Sequence, residues 1–236
     1  MERELLSNVD FRPLSGHTVV CGVIADPVSH TLSPQMQGAA YKELGLDYIY
    51  VPFEVKSHLV GDAVKGLRAL NVRGVNVTMP HKLAVLPYLD ELDPLAEKIG
   101  AVNAIVNNKG ILKGYNFDAP GFMQPLENMG FDPKNKEIVI LGAGGGARSA
   151  IIPLSEQGAN IIILNRSVKS AEKLSNDIKE LNGTDIKVLE FNFSNLQNTL
   201  QKADMVVKCT SIGFDNMVDE TPIPVELIRK DMVVYD

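Results

Sequence analysis

In Ile138-Val139-Ile140-Leu141-Gly142-Ala143-Gly144-Gly145-Gly146-Ala147 an apolar run breaks into a glycine-rich turn and then opens a helix. Gly142, Gly144 and Ala147 fit the spacing G-x-G-x-x-[GA]. The first glycine permits a tight turn, the second lets backbone approach a pyrophosphate, and the small third residue lets helix pack on strand. The helix N-terminus then turns free N–H groups toward phosphate. Alone the motif is weak, and its plain alternative is a glycine-rich turn with no ligand. With a strand before it, a helix after it and a further strand following, it reads as a dinucleotide site formed by Gly142, Ala143, Gly144, Gly145, Gly146 and Ala147.

The following strand, Ile161–Leu164, runs into Asn165-Arg166-Ser167. An NAD site usually carries an Asp or Glu at this point for the ribose 2′-hydroxyl. Here a guanidinium stands ready for a 2′-phosphate, and no carboxylate follows until Glu172. The expected cofactor is therefore NADP(H) rather than NAD. The other reading of Arg166 is a solvated surface residue. Ser170–Leu181 reads as a polar-faced helix, and Ile186–Phe191, Met205–Lys208 and Met232–Tyr235 as strands. Pro153 is expected to interrupt the helix Ala147–Gln157 early.

Upstream, Leu126–Pro133 reads as a polar bridge, which places a domain boundary near 118–130 and divides the chain into 1–122 and 123–236. Before it, strand and helix also alternate. Val19–Ile24 is a strand, and Ser33-Pro34 supplies an N-cap and a first-turn proline for a helix with Met36, Ala39, Ala40, Tyr41 and Leu44 on its apolar face. Tyr48–Phe53 and Val72–Thr78 read as strands, Leu59, Ala63, Leu67 and Leu70 as a helix face, and Lys82–Leu89 as a short helix. Ala101–Val106 and Ile111–Tyr115 flank a hairpin-type turn at 107–110. The fold class is α/β, an N-terminal α/β domain followed by a Rossmann-type domain.

In Asn76-Val77-Thr78-Met79-Pro80-His81-Lys82 a strand ends with two neutral hydrogen-bonding side chains and a lysine at one rim. Asn and Thr can fix hydroxyls or carboxylate oxygens, and a lysine held nearby can deliver a proton. A solvated lysine and a spectator His81 are the plain alternatives.

Composition narrows the function classes. Hydrophobic residues make up 45% and charged residues 22%, as in an ordinary globular protein. The net charge of −6 carries no basic footprint of a nucleic-acid binder. No apolar run nears the ~20 residues of a membrane span. The N-terminus has no apolar core of signal-peptide length, so a cytoplasmic protein is expected. Cys21 and Cys209 read as buried thiols, and no His or Cys pair has ligand spacing, so no metal site is expected.

Several motifs occur in order: His30-Thr31-Leu32-Ser33-Pro34, Asn76 to Lys82, Gly100-Ala101-Val102-Asn103, Gly114-Tyr115-Asn116-Phe117-Asp118, Gly142 to Ala147, Asn165-Arg166-Ser167 and Thr210-Ser211-Ile212-Gly213. Together they resemble the shikimate dehydrogenase family, including its quinate/shikimate relatives, from about Gly22 to Asp236. The resemblance implies a substrate domain, an NADP-binding Rossmann domain and a catalytic cleft between them. It implies reversible reduction of 3-dehydroshikimate to shikimate by NADPH, a step toward chorismate and the aromatic amino acids. Carried over, Thr31 and Ser33 hold the substrate carboxylate, while Asn76, Thr78, Asn103 and Asp118 bind ring hydroxyls. Lys82 and Asp118 form the catalytic pair, and Thr210 and Ser211 lie beside the cofactor. Ser33 as a simple N-cap, and Thr210-Ser211 as the cap of a turn, remain the alternatives. The implied partners are small molecules, with no nucleic acid or membrane, in a monomer or homodimer. The competing functions are a quinate or dual quinate/shikimate dehydrogenase and, from another class, a non-catalytic NADP-binding protein.

The chain departs from the family pattern in places. Thr31 stands where Ser is usual, keeping the hydroxyl but crowding the site. Phe117 replaces a threonine before the catalytic carboxylate; alternation in an extended segment allows it to face the core. The second basic residue that often follows Asn-Arg is represented only by Lys169, one position short. The family's further glycine turn and returning helix are absent before Asp236, so this chain is expected to be weakly active or inactive as it stands.

Overall fold

The computed structural model describes residues 14–213 and 219–236. Two sheets follow one another along the chain. The first contains β1 (Val19–Ala25), β2 (Tyr48–Glu54), β3 (Gly74–Val77), β4 (Glu91–Leu92), β5 (Ala104–Asn108) and β6 (Ile111–Tyr115), in the order β2-β1-β3-β5-β6-β4. β1 runs parallel to β2 and β3, whereas β5 is antiparallel to both β3 and β6. Its helices are α1 (Ser33–Glu43), α2 (Val60–Ala69) and α3 (Pro94–Ile99). α4 (Asp118–Asn128) leads to the second sheet, and the expected 122/123 boundary falls inside it.

The second sheet is wholly parallel: β7 (Glu137–Leu141), β8 (Asn160–Asn165), β9 (Lys187–Glu190), β10 (Met205–Lys208) and β11 (Val233–Tyr235), in the order β11-β10-β7-β8-β9. α5 (Gly145–Glu156), α6 (Val168–Asn182) and α7 (Phe193–Leu200) connect its strands. Ile138, Val139, Ile140 and Leu141 are completely buried, which explains why β7 reads as an unbroken apolar run. Truncating Ile140 to Ala there would cost about 2–5 kcal/mol. The strand order reverses between β7 and β10, so the crevice beyond their carboxyl ends is the ligand position of such sheets.

Several local expectations give way to tertiary packing. Leu126–Pro133 is a bridge only in part: Ala119, Phe122, Met123 and Leu126 give α4 a buried face, which carries the helix through Pro125 to Asn128, and the turn and coil toward β7 begin at Met129. α5 likewise continues past Pro153, because Ile151, Ile152 and Leu154 are buried around it. Lys82–Leu89 forms turns and a 3₁₀ segment, Leu86–Tyr88, rather than an α-helix. Val102 N–H takes the Lys82 carbonyl at 2.8 Å, and Pro87 has no N–H to continue the ladder. In α2 the buried face is Val60, Val64 and Leu67, while Leu59 and Leu70 are exposed. α1 buries no residue, so Met36 and Leu44 are solvent-facing. Ser33 is its first helical residue instead of its cap; the Thr31 hydroxyl accepts the Ser33 N–H at 3.2 Å and starts the helix one residue earlier.

One apolar cluster spans both halves. Ile99, Ala101, Ala119 and Phe122 pack with Ile138, Ile140, Ala147 and Ile151. Arg148 of α5 reinforces this by donating to the Ile99 carbonyl at 3.1 Å. Among the described residues no helix is long and apolar enough to cross a membrane, and no cluster of His, Cys, Asp or Glu is arranged to hold a metal.

Candidate active site

Inward-facing Val75 and Val77 anchor β3, which leaves Asn76 and Thr78 on its exposed side. Beyond them the chain turns, and His81 is fully buried with its Nε2–H donating to the Val55 carbonyl at 2.6 Å. The histidine expected to be a spectator thus pins the turn that presents Lys82. Lys82 Nζ donates to Asp118 Oδ2 at 2.7 Å, with the two side chains 19% and 30% exposed. Both are sheltered enough to hold one geometry yet open to a ligand.

Asn103 completes this group. Its Nδ2 donates to Asp118 Oδ1 at 2.7 Å, and its Oδ1 accepts the Phe117 N–H at 2.9 Å. Its own backbone is clipped between Val77 N–H and the Tyr115 carbonyl. Both carboxylate oxygens of Asp118 are therefore engaged, one by Lys82 Nζ and one by Asn103 Nδ2. Such a pair can hand a proton to an oxygen in the cleft while the carboxylate keeps the donor aligned.

A second network lies on β2 and α1. Tyr50 Oη donates to Asn76 Oδ1 at 2.6 Å and also meets the Ser33 hydroxyl. Burial pushes the Tyr50 phenol up to about 12, so it stays a neutral donor. Tyr50 was not among the expected site residues; the only signal for it was its place in an aromatic strand next to β1. Thr31 is tied to this group through Ser33, and the Thr78 side chain is exposed at the neighbouring strand end.

The glycine-rich segment sits at the carboxyl end of β7. Gly142 has φ +113°, and a Cβ there would come within 2.7 Å of the Cys209 carbonyl, so only glycine fits. Gly144 and Gly146 have nothing within 4 Å of where a Cβ would stand. α5 has Gly144 as N-cap with no side-chain cap, which leaves its first-turn N–H groups for a ligand. An open glycine surface against uncapped N–H groups fits a pyrophosphate. Ala147, in the first turn of α5, is completely buried. Ser167 caps α6 by accepting the Ser170 N–H, Asn165 Nδ2 donates to the Ser167 carbonyl at 2.9 Å, and Arg166 is exposed beside them. Thr210 Oγ1 is buried without a hydrogen-bond partner among the described residues, next to Gly142, and Ser211 is exposed.

A cleft of about 310 Å³ joins the two halves, lined by Phe117 and Asp118 of one and Gly146, Ser149, Lys208 and Cys209 of the other. Phe117 does not face the core: it is 59% exposed and stacked on Tyr115 with ring centroids 5.8 Å apart. Asn116, whose side chain is bonded inward, takes the buried position instead. Cys21 and Cys209 are unpaired and half-buried, and burial pushes the Cys209 thiol up to about 12 against the pull of Lys82 and Lys208. It is thus a neutral wall of the cleft rather than a nucleophile.

The substrate-binding domain model of shikimate dehydrogenase matches residues 23–105, and the shikimate/quinate 5-dehydrogenase model matches residues 126–220. The shikimate dehydrogenase (NADP(+)) of Desulforamulus reducens is 42% identical over 226 residues, covering 94% of this chain and 78% of its own. That of Geobacter sulfurreducens is 46% identical over 205 residues, covering 86% and 72%. Among solved structures, a shikimate dehydrogenase in complex with NADP+ superposes with a TM-score of 0.83 at 40% identity, covering 94% of this chain and 77% of that one. With both models matched in order and these identities across most of each chain, the protein belongs to the shikimate dehydrogenase family, oxidoreductases acting on a CH–OH group.

Proposed function

We infer that this chain interconverts 3-dehydroshikimate and shikimate with NADP(H), using Lys82 and Asp118 as its catalytic pair. The observation that carries the reading is the 2.7 Å Lys82–Asp118 contact, whose carboxylate belongs to a residue lining the cleft shared with the glycine-rich segment. NADPH supplies the hydride that converts the ring ketone to an alcohol. As negative charge builds on the ketone oxygen, the Lys82 ammonium donates its proton there; in the reverse direction the amine takes the proton from the hydroxyl. Asp118 holds the ammonium and accepts from an adjacent ring hydroxyl, and Asn103 fixes Asp118. Thr31 and Ser33 hold the substrate carboxylate, and Asn76 and Thr78 bind ring hydroxyls.

On the cofactor side, Gly142 to Ala147 receive the pyrophosphate. Asn165, Arg166 and Ser167 surround the 2′-phosphate, and Thr210 and Ser211 flank the cofactor near the cleft. The physiological direction in this reading is reduction, in the cytoplasm, where unpaired Cys21 and Cys209 are compatible with a reducing compartment.

The second reading, a quinate or dual-specificity dehydrogenase, has in its favour the shikimate/quinate name of the matched family model and the added methyl of Thr31. The deciding experiment compares kcat/KM for shikimate and quinate with NADP+ and NAD+. Highest efficiency with shikimate and NADP+ is expected. A quinate preference would favour the second reading, and binding of NADP+ without any turnover would reduce the protein to a cofactor binder.

A further inference from the structure

Asn116 joins three parts of the protein that the chemistry needs in register. It is 3% exposed and immediately precedes Phe117 and Asp118. Its Nδ2 donates to the Ala101 carbonyl at 3.0 Å and to Ser149 Oγ at 3.1 Å, and its Oδ1 accepts the Ala119 N–H at 3.1 Å. Ala101 leads into Asn103, Ala119 lies in the first turn of the helix that carries Asp118, and Ser149 belongs to the helix opened by the glycine-rich segment. Ser149, 1% exposed, in turn donates to the Gly145 carbonyl at 3.0 Å. A closed path therefore runs from Lys82 to Asp118, along the chain to Asn116, across to Ser149 and Gly145, and back to Lys82 by close packing.

We propose that the Asn116–Ser149 hydrogen bond is a positioning device that holds the glycine-rich segment in register with the Lys82–Asp118 pair, and so sets the distance over which hydride is transferred. This rests on the assignment of Lys82 and Asp118 to the ketone and of Gly142 to Ala147 to the cofactor. Neither residue touches the reacting atoms; both act through their neighbours. Donor and acceptor must meet within a near-attack distance, and a misplacement of about 1 Å costs about 10²-fold in rate. The bond crosses between the two halves, between residues that are 3% and 1% exposed.

The test is Ser149→Ala, which removes the crossing bond but leaves the Ala101 and Ala119 bonds of Asn116 and keeps a good helix former. The expected result is a fall in kcat of about tenfold, with KM for substrate and cofactor changed by less than about threefold. The primary isotope effect on kcat, measured with cofactor deuterated at the transferred position, rises. Adding Asn116→Ala to Ser149→Ala costs less than the two separate losses multiplied, because the pair acts as a unit. Ser149→Thr, which keeps the hydroxyl, recovers part of kcat. If Ser149→Ala lowers only the melting temperature and leaves kcat and the isotope effect at parental values, the bond is structural and the proposal is wrong. Lys82→Ala in the same assay separates the two levels: full kcat there faults the catalytic assignment itself.

Discussion

The Cβ that Gly145 lacks would stand 3.1 Å from Cβ of Lys82, so the glycine-rich turn and the lysine turn pack closely across the two halves. Leu83 Cδ1 and Lys82 Cδ are also within 3.3 Å of that point. The glycine here is set by the approach of another side chain, a constraint distinct from the open face at Gly144 and Gly146.

Gly145→Ala is therefore expected to displace Lys82 by a few tenths of an ångström and loosen its bond to Asp118. Steady-state kinetics should give a kcat lowered by about tenfold, with the cofactor KM little changed. Gly146→Ala, with open space at its Cβ, should act oppositely, raising the cofactor KM more than it lowers kcat. Identical effects from the two substitutions would contradict the Gly145–Lys82 contact as the cause.

If the guanidinium holds the 2′-phosphate as proposed, Arg166→Ala should weaken NADPH more than NADH. The loss of one charge-assisted bidentate contact is about 1.5–3 kcal/mol, or roughly 10–100-fold in the NADPH KM. Titrating KM for both cofactors checks it, and equal losses for NADPH and NADH would remove Arg166 from the phosphate site.

Acid sensitivity has an identified contributor. Asp204 accepts from Lys136 Nζ at 2.9 Å and from Glu137 N–H at 2.8 Å, and these bonds hold its carboxyl below the ordinary 3.8. A carboxylate depressed on folding contributes stability that is fully present above its unfolded pKa and is lost as pH falls through the folded value. Thermal melts of the parent should thus drop below about pH 4 more steeply than those of Asp204→Asn, which is less stable at pH 7. Parallel curves for the two proteins would rule out this assignment.

The second half was the more legible part of the fold. β7 and β10 are buried, and buried parallel strands announce themselves as short apolar runs between turn signals. The glycine-rich turn is equally local, since glycines, strand and helix are contiguous. α4 was hidden because Pro125 and Gly130 are local breakers, while the burial of Leu126 that overrides them depends on the other half of the protein. Lys82–Leu89 failed in the opposite sense: its apolar residues suggest a helix, but a distant N–H, that of Val102, takes the carbonyl the helix needs. Lys82 and Asp118 are 36 residues apart, and no periodicity connects them; they were paired only through the resemblance of their surrounding motifs to a family. Tyr50 reaches Asn76 through the pairing of β1 with β2 and β3, a register that the residues of β2 alone do not encode.

The central claim is that Lys82 provides the proton at the ketone oxygen, and kcat of Lys82→Ala with saturating shikimate and NADP+, alongside shikimate binding to the same variant, tests it most directly. The account predicts that kcat falls by about 10²–10⁴-fold, the usual contribution of a positioned acid or base, while shikimate still binds. A kcat equal to that of the parent would contradict it.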